Sequence, residues 1–216
     1  MVEAGDTGAE ARQEERSRKE VFYIYDETMM RHRDHNYQDE EGKAKTDLPK
    51  AREDDFISPE VPFRIKAIHD YLNANPSPAE SLLSQMDLVE IKTQDWEQAV
   101  LRVHPQSHSD KIEETCARLG PNETSYELNE DNYECNETFS VASLSGQGCL
   151  TAVKQVLDGT YERGYCITRP PGHHAHSDFI QGFCFFNNVA VMAQYAVDQG
   201  KRVLIFDWDI HQGDGT

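Results

Sequence analysis

Two clusters of polar residues in the C-terminal third of this 216-residue chain have types and spacings that could do chemistry. The first is Asp207-Trp-Asp-Ile-His211, where two carboxylates and an imidazole fall at alternate positions. Alternate residues of extended backbone share one face, so Asp207, Asp209 and His211 would converge at the end of a strand. Val203 to Phe206, just ahead, is a short apolar run that reads as a buried strand, and Gly213 and Gly215 turn the chain away. The second cluster is the doublet His173-His174, inside Arg169-Pro-Pro-Gly-His-His-Ala175. Oxygen and nitrogen donors in this mixture suit zinc or another divalent transition metal. A catalytic zinc takes three protein ligands and keeps one position open, and Asp209 and His211 supply two. Such a metal would lower the pKa of its water and polarise a carbonyl. An imidazole alongside could take the water's proton and pass it to a leaving amine. Each imidazole needs an orienting acceptor, and Asp207 and Asp214 are available. The set describes an amide hydrolase. An Asp-x-His alone would read as a cap and a surface histidine after a core strand; the upstream doublet decides for the metal.

The elements around these clusters must bring them together. Tyr165 to Thr168 reads as a strand, Asn187 as the N-cap of a helix through Gln199, Gly200 as its stop, and the next strand starts near Arg202. Strand, helix, strand of these lengths is a βαβ unit with parallel strands and a right-handed crossover. Ligands of such sheets bind outside the carboxyl ends of the strands, where both clusters lie. Gly182-Phe-Cys-Phe-Phe186 adds an apolar wall suited to a slender aliphatic chain.

Upstream, Val21 to Tyr25 is a strand, and Glu27 to Ser58 reads as a long polar loop with solvated His32 and His35. A helix opens at Pro62 with Phe63, Ile65, Ile68, Tyr71 and Leu72 at near-helical spacing. A short helix restarts at Pro78, and Leu88 to Ile91 is a strand. Asp95 to Val103 and Ser107 to Leu119 read as helices, and Asn122 to Asn136 as a polar loop. Thr138 to Leu157 is a helix whose Gly146 and Gly148 imply close packing against a neighbour.

Composition bounds the rest. The chain could hold one domain with a real core. A net charge of −18 argues against a nucleic-acid-binding surface. Met1 to Glu20 is charged, without the apolar run of a signal peptide, and is expected to be disordered. No stretch approaches the length of a membrane span. Five dispersed cysteines without a C-x-x-C read as reduced thiols of the cytosol or nucleus.

Taken together, Arg169-Pro-Pro-Gly-His-His-Ala175, Gly182-Phe-Cys-Phe-Phe-Asn187 and Asp207-Trp-Asp-Ile-His211 resemble the zinc-dependent histone deacetylase family, in its class II branch. Tyr25-Asp-Glu27, Ser58-Pro-Glu-Val-Pro-Phe-Arg64 and Asp131-Asn-Tyr-Glu-Cys135 are weaker matches, and the resemblance runs from about Val21 to Thr216. It implies an α/β fold of the arginase/deacetylase type, a parallel β-sheet flanked by helices, with 21–216 the N-terminal part of the catalytic domain. It implies hydrolysis of N6-acetyl-lysine in histones or other proteins, Zn2+ held by Asp209 and His211, and a structural K+ near Asp207. By the same resemblance His174, paired with Asp214, would be the general base and acid, and His173, paired with Asp207, its electrostatic partner. Phe183 would line the acetyl-lysine channel, the Gly182 carbonyl would accept the substrate's side-chain amide hydrogen, Asp131 would hold the substrate backbone at the rim, and Arg64 would lie buried beneath the site. Partners would be acetylated histone or another acetyl-lysine protein and a corepressor complex, with no direct nucleic acid and no membrane, in nucleus or cytoplasm. Gln212 stands where many members have a second histidine, and Ser58 replaces the usual histidine of its word. The family's third zinc ligand and its carbonyl-polarising tyrosine fall after Thr216, so this chain alone is expected to be a weakly active or inactive fragment. The alternatives are a truncated relative acting as a binding module and a deacetylase of acetylated polyamines.

Overall fold

The computed structural model describes residues 21–34, 60–74, 83–86 and 93–216. The expectations for Met1 to Glu20, His35, most of the stretch to Ser58 and the strand at Leu88 to Ile91 lie outside them.

Strand β1 (Val21–Ile24) is the centre of a three-stranded sheet in the order β2-β1-β5, with β2 (Leu83–Met86) on one side and β5 (Arg163–Cys166) on the other. Both pairings are parallel and in register, Val21 opposite Leu83 and Arg163, Ile24 opposite Met86 and Cys166. Parallel strands need helical crossovers, and the chain supplies them. Helix α1 (Phe63–Ala74) lies between β1 and β2 in sequence; α2 (Thr93–Val100), α3 (Gln106–Ala117) and α4 (Thr138–Leu157) precede β5, and α5 (Asn188–Asp198) follows it. This is the α/β architecture expected, a parallel sheet flanked by helices. No helix among the described residues is long and apolar enough to cross a membrane.

Helix α4 organises the packing because it is apolar or small on two faces. Val141 and Ala152 join Phe22, Ile24, Met29 and Ile167 on the sheet side. Ala142 and Leu150 join Trp96, Ile112, Phe185, Phe186 and Val191 on the other. Gly146 is required there: a Cβ would sit less than 3.0 Å from the Trp96 ring. Helix α5 starts where Asn187 caps it, its side chain accepting from the Ala190 N–H at 3.0 Å, and ends at Gly200 with φ 76°. All five cysteines are free thiols.

Four expectations need correction. Glu27–Arg31 is a 3-10 helix, capped by Asp26, and His32 behind it is 1% exposed, its Nδ1 2.8 Å from Thr138 Oγ1. The Asn122 to Asn136 stretch contains an antiparallel hairpin, β3 (Ser125–Asn129) and β4 (Asn132–Glu134), because Tyr133 and Cys135 bury against the core and fix it as strand. The upstream edge strand is Leu83–Met86, a stretch whose start the short helix from Pro78 was expected to include. Finally, Val203 to Phe206 pairs with no strand among the described residues and is exposed, Leu204 at 91% and Phe206 at 78%. β5, the partner expected from the βαβ unit, bonds to β1 on one edge and makes no ladder with this segment, which therefore gains no strand neighbour among the described residues.

Candidate active site

His173 and His174 lie on the irregular segment after β5. Gly172 lets it pass close to the start of α5: a Cβ there would be less than 3.0 Å from the Phe186 carbonyl and the Asn188 N–H. The two imidazoles sit side by side, centroids 4.1 Å apart. His173 Nδ1 meets Asp207 Oδ2 at 2.8 Å, and His174 Nδ1 meets Asp214 Oδ1 at 2.6 Å. An ionised carboxylate can only accept, so Nδ1 carries the hydrogen in each pair and Nε2 is left to take or give a proton. Asp214 also accepts from Gln181 Nε2 at 3.0 Å and has His176 Nε2 at 3.5 Å. The His174 hydrogen bond above all holds its carboxyl down to about 2. Asp207 is lowered as well, first by the Asp209 N–H and then by His173.

The terminal segment reaches this doublet by turning. Asp207 Oδ1 accepts the Asp209 N–H at 3.0 Å, and Asp209 Oδ1 accepts the His211 N–H at 2.8 Å. Each side chain bonding two residues ahead bends the backbone, so alternation on a straight strand is replaced by successive turns. The segment is then fixed at its far end. The Gly215 N–H donates to the His173 carbonyl at 3.0 Å, and Asn187 Nδ2 donates to Thr216 Oγ1 at 3.0 Å. A Cβ at Gly213 would fall within 3.0 Å of Asp207 Oδ2, and one at Gly215 within 3.0 Å of the Ala175 carbonyl. These two glycines are sites of close approach rather than mere chain reversal.

A cavity of about 570 Å³ is lined by His173, His174, Asp209 and His211, by Gly182 and Phe183 on one wall, and by Asp131 and Arg64. Every side chain singled out from sequence except Asp207 and Asp214 faces this one space, and those two bond the doublet from behind. Asp209 and His211 offer it a carboxylate and an imidazole, the donor types that zinc takes, with the Asp209 pKa lowered chiefly by the His211 N–H. Their side chains also touch, His211 Nδ1 lying 3.1 Å from Asp209 Oδ1. Among the described residues no three histidine, cysteine, aspartate or glutamate side chains are arranged to hold a metal ion.

One expected residue is elsewhere. Arg64 is not buried beneath the site; it is exposed on the cavity edge, one residue into α1. The buried arginine is Arg169, at 1% exposure. It donates to Glu60 at 2.7 and 2.6 Å, to the Tyr133 hydroxyl at 2.8 Å, to the Met29 carbonyl at 2.8 Å and to the His32 carbonyl. Burial opposes the charge on Glu60, but Arg169 outweighs it and leaves the carboxyl lowered. Burial first and Arg169 next push His32 down to about 3, so it stays neutral. Glu60 and Tyr133 lie inside the weaker matching words but were given no role, and Gln181 carried no signal, since only the fold decides which polar groups meet.

Two histidine–carboxylate pairs and a carboxylate–imidazole pair meet at one cavity beside a parallel sheet, the arrangement that the deacetylase resemblance implied. Residues 58–216 match the family model of the histone deacetylase domain, and the chain belongs to the histone deacetylase family. It is 29% identical over 209 residues to histone deacetylase 5 of Arabidopsis thaliana, covering 92% of this chain and 27% of that protein. It is 33% identical over 171 residues to histone deacetylase HDA1 of Saccharomyces cerevisiae, covering 73% of this chain and 24% of that protein. The crystal structure of the HDA15 HD domain superposes with a TM-score of 0.70 at 29% identity, over 91% of this chain and 49% of that one. The chain thus spans about a quarter of these curated relatives and about half of the solved domain.

Proposed function

We propose that this chain carries the histidine-bearing half of a zinc-dependent lysine deacetylase site, for hydrolysis of N6-acetyl-lysine in histones or other proteins to lysine and acetate. The observation that carries the reading is the pair of imidazoles, each held at Nδ1 by its own aspartate, facing the same cavity as Asp209 and His211.

Asp209 and His211 would hold zinc, which when bound supplies an activated water and a polarised carbonyl. His174, oriented by Asp214, takes the water's proton at Nε2 and returns it to the leaving ε-amine. His173, oriented by Asp207, stabilises the charge that develops beside it. Gly182 and Phe183 enclose the aliphatic arm of acetyl-lysine and exclude water, and Asp131 holds the peptide backbone at the rim. A structural potassium ion at the Asp207 backbone belongs to the same proposal, as do chromatin as the setting, a corepressor complex as a partner and nucleus or cytoplasm as the compartment. The two zinc ligands assigned here are one fewer than a catalytic zinc takes, so turnover by the 216-residue chain alone is expected to be slow or absent.

Binding therefore tests the reading better than rate. Zinc and an acetyl-lysine peptide are added to the labelled chain, and amide and imidazole resonances are followed. Zinc should shift Asp209 and His211, and the acetylated peptide should then shift Phe183 and Asp131 while its unacetylated twin does not. Equal responses to both peptides, or zinc binding unaffected by Asp209→Asn with His211→Ala, would sink the proposal. Selective response to acetylated polyamine over peptide would redirect it to small-molecule substrates.

A further inference from the structure

The cavity wall at Phe183 is not self-supporting. Phe183 has φ 67°, a left-handed conformation that an L-residue other than glycine keeps only when its surroundings enforce it. The segment that carries it, Ser177 to Asn187, has no strand or helix of its own beyond a bridge between Gln181 and Cys184.

Three buried polar side chains from elsewhere in the fold take hold of it. Asn132, at the start of β4 and 1% exposed, accepts the Phe183 N–H on Oδ1 at 3.0 Å and donates from Nδ2 to the Cys184 carbonyl at 3.1 Å. His104, between α2 and α3 and also 1% exposed, accepts the Asn187 N–H on Nε2 at 2.9 Å, and its Nδ1 lies 3.1 Å from the Ser177 carbonyl. His108, one turn on in α3, lies with Nε2 2.7 Å from the Phe185 carbonyl. The two rings stack at 4.5 Å, with Phe186 edge-on to both.

Backbone groups have fixed polarity, which settles the protons. An N–H only donates, so His104 Nε2 must be bare; a carbonyl only accepts, so His104 Nδ1 must carry hydrogen. The neutral Nδ1–H tautomer alone satisfies both ends of the segment. By the same argument His108 presents Nε2–H. None of these bonds is needed to build α3 or β4, whose own backbone groups they leave untouched.

We propose that Asn132, His104 and His108 are positioning residues that clamp the Ser177 to Asn187 segment and so set the Phe183 wall. Because Asn132 is joined to Asp131 by one peptide bond, the clamp also fixes the spacing between rim and wall. What the wall is for rests on the deacetylase reading; the clamp itself rests on the hydrogen bonds. An acyl-lysine arm needs a slot of set width, and a segment with one strained residue and no regular structure cannot provide it unaided.

The test uses the 216-residue chain at neutral pH. Long-range nitrogen-15 spectra of the unsubstituted chain should show His104 as the Nδ1–H tautomer; the Nε2–H tautomer overturns the proposal without any variant. Amide hydrogen exchange is then compared. Asn132→Leu should speed exchange at Phe183, and His104→Phe at Asn187, at least tenfold, while amides of α4 keep their rates. His104→Gln, whose amide has both a donor and an acceptor, should restore most of the protection. Equal acceleration of loop and α4 amides, as a general loss of stability would give, or no acceleration at all, overturns the clamp. A chain with the expected tautomer and protection but no selective response to acetyl-lysine peptide would remove the channel and leave the clamp.

Discussion

Phe185 and Phe206 stand on either side of helix α5 in the chain, both in apolar runs next to residues of the candidate site, yet one is 0% exposed and the other 78%. The Ser177 to Asn187 segment is irregular but sits on a packed floor of Trp96, Ile112 and Leu150 and is pinned by buried polar groups. The terminal segment is held only along its polar half, from Asp207 to Thr216, by hydrogen bonds and glycine contacts. Its apolar half, Val203 to Phe206, lies open. The difference teaches that a side chain can be placed for chemistry without the strand behind it being buried. Two carboxylate–imidazole bonds and two close backbone approaches hold Asp207 and Asp214 where a sheet ladder was expected to.

The contrast can be broken from its stable side first. Glu60→Ala would strand the buried Arg169 guanidinium, and removing one partner of such a pair costs about 3–5 kcal/mol. Urea unfolding should show it, together with loss of order in the doublet, since Arg169 opens the segment that carries His173. Phe185→Ala should cost a similar amount, about 3–5 kcal/mol, through the cavity it leaves. On the other side Phe206→Ala should stay within about 0.5 kcal/mol, the range of surface changes. Equal losses at Phe185 and Phe206 would mean that the terminal segment is buried in solution and that the contrast is false.

Gly213→Ala comes next. Its methyl would collide with the Asp207 carboxylate, and overpacking of this kind costs about 1–3 kcal/mol. The expected readout is strongest at the site: the His173 Nδ1–H resonance loses its hydrogen-bonded shift and zinc affinity falls, while the urea midpoint drops only by what that cost implies.

Acid should act on the packed side before the terminal one. His32 and His104 are pushed down by burial, to about 3 and about 4, so both are neutral in the fold and protonate near 6.5 when it opens. Their contribution is complete above that unfolded value and is lost as pH falls through the folded ones. Glu134 runs the other way: burial raises it to about 7, so its contribution is lost as pH rises from the unfolded carboxylate range to that value. Between roughly pH 4.5 and 6.5 His32 and His104, and His108 as well since burial lowers it too, bind more protons unfolded, while Glu134 binds more folded. Stability should therefore fall on acidification by at least about 1 kcal/mol per pH unit, and His104→Gln should flatten the slope. Urea midpoints at pH 7.5, 6 and 5 check this; a flat or rising profile on acidification rejects it. Asp214, held near 2 by His174, contributes above the ordinary carboxylate range and loses that contribution only as pH falls through about 2.

Much of the fold was legible because its signals are local. The helix over Thr138 to Leu157, the Asn187 cap and the Gly200 stop are set by side chains within a turn of where they act. Parallel strands at Val21 and near Tyr165 follow from short β-branched and aromatic runs separated by helices. The helix from Pro62 was legible too, but its burial was not: Phe63, Ile68 and Tyr71 keep helical spacing and stay exposed, and only Ile65 is buried. The Ser125–Glu134 hairpin was missed because its residues are polar, and what makes it a strand pair is the burial of Tyr133 beside Glu60.

By itself the sequence determined the chemistry on offer: the histidine doublet and the carboxylates and imidazole of Asp207 to His211. These are fixed by residue type and spacing, so they can be read without coordinates. Only the tertiary structure decided that, among the described residues, Arg169 rather than Arg64 is buried, His32 is shut away and neutral, and Val203 to Phe206 has no strand beside it. Burial and strand pairing depend on which distant segments arrive at the same place, and no local pattern carries that information.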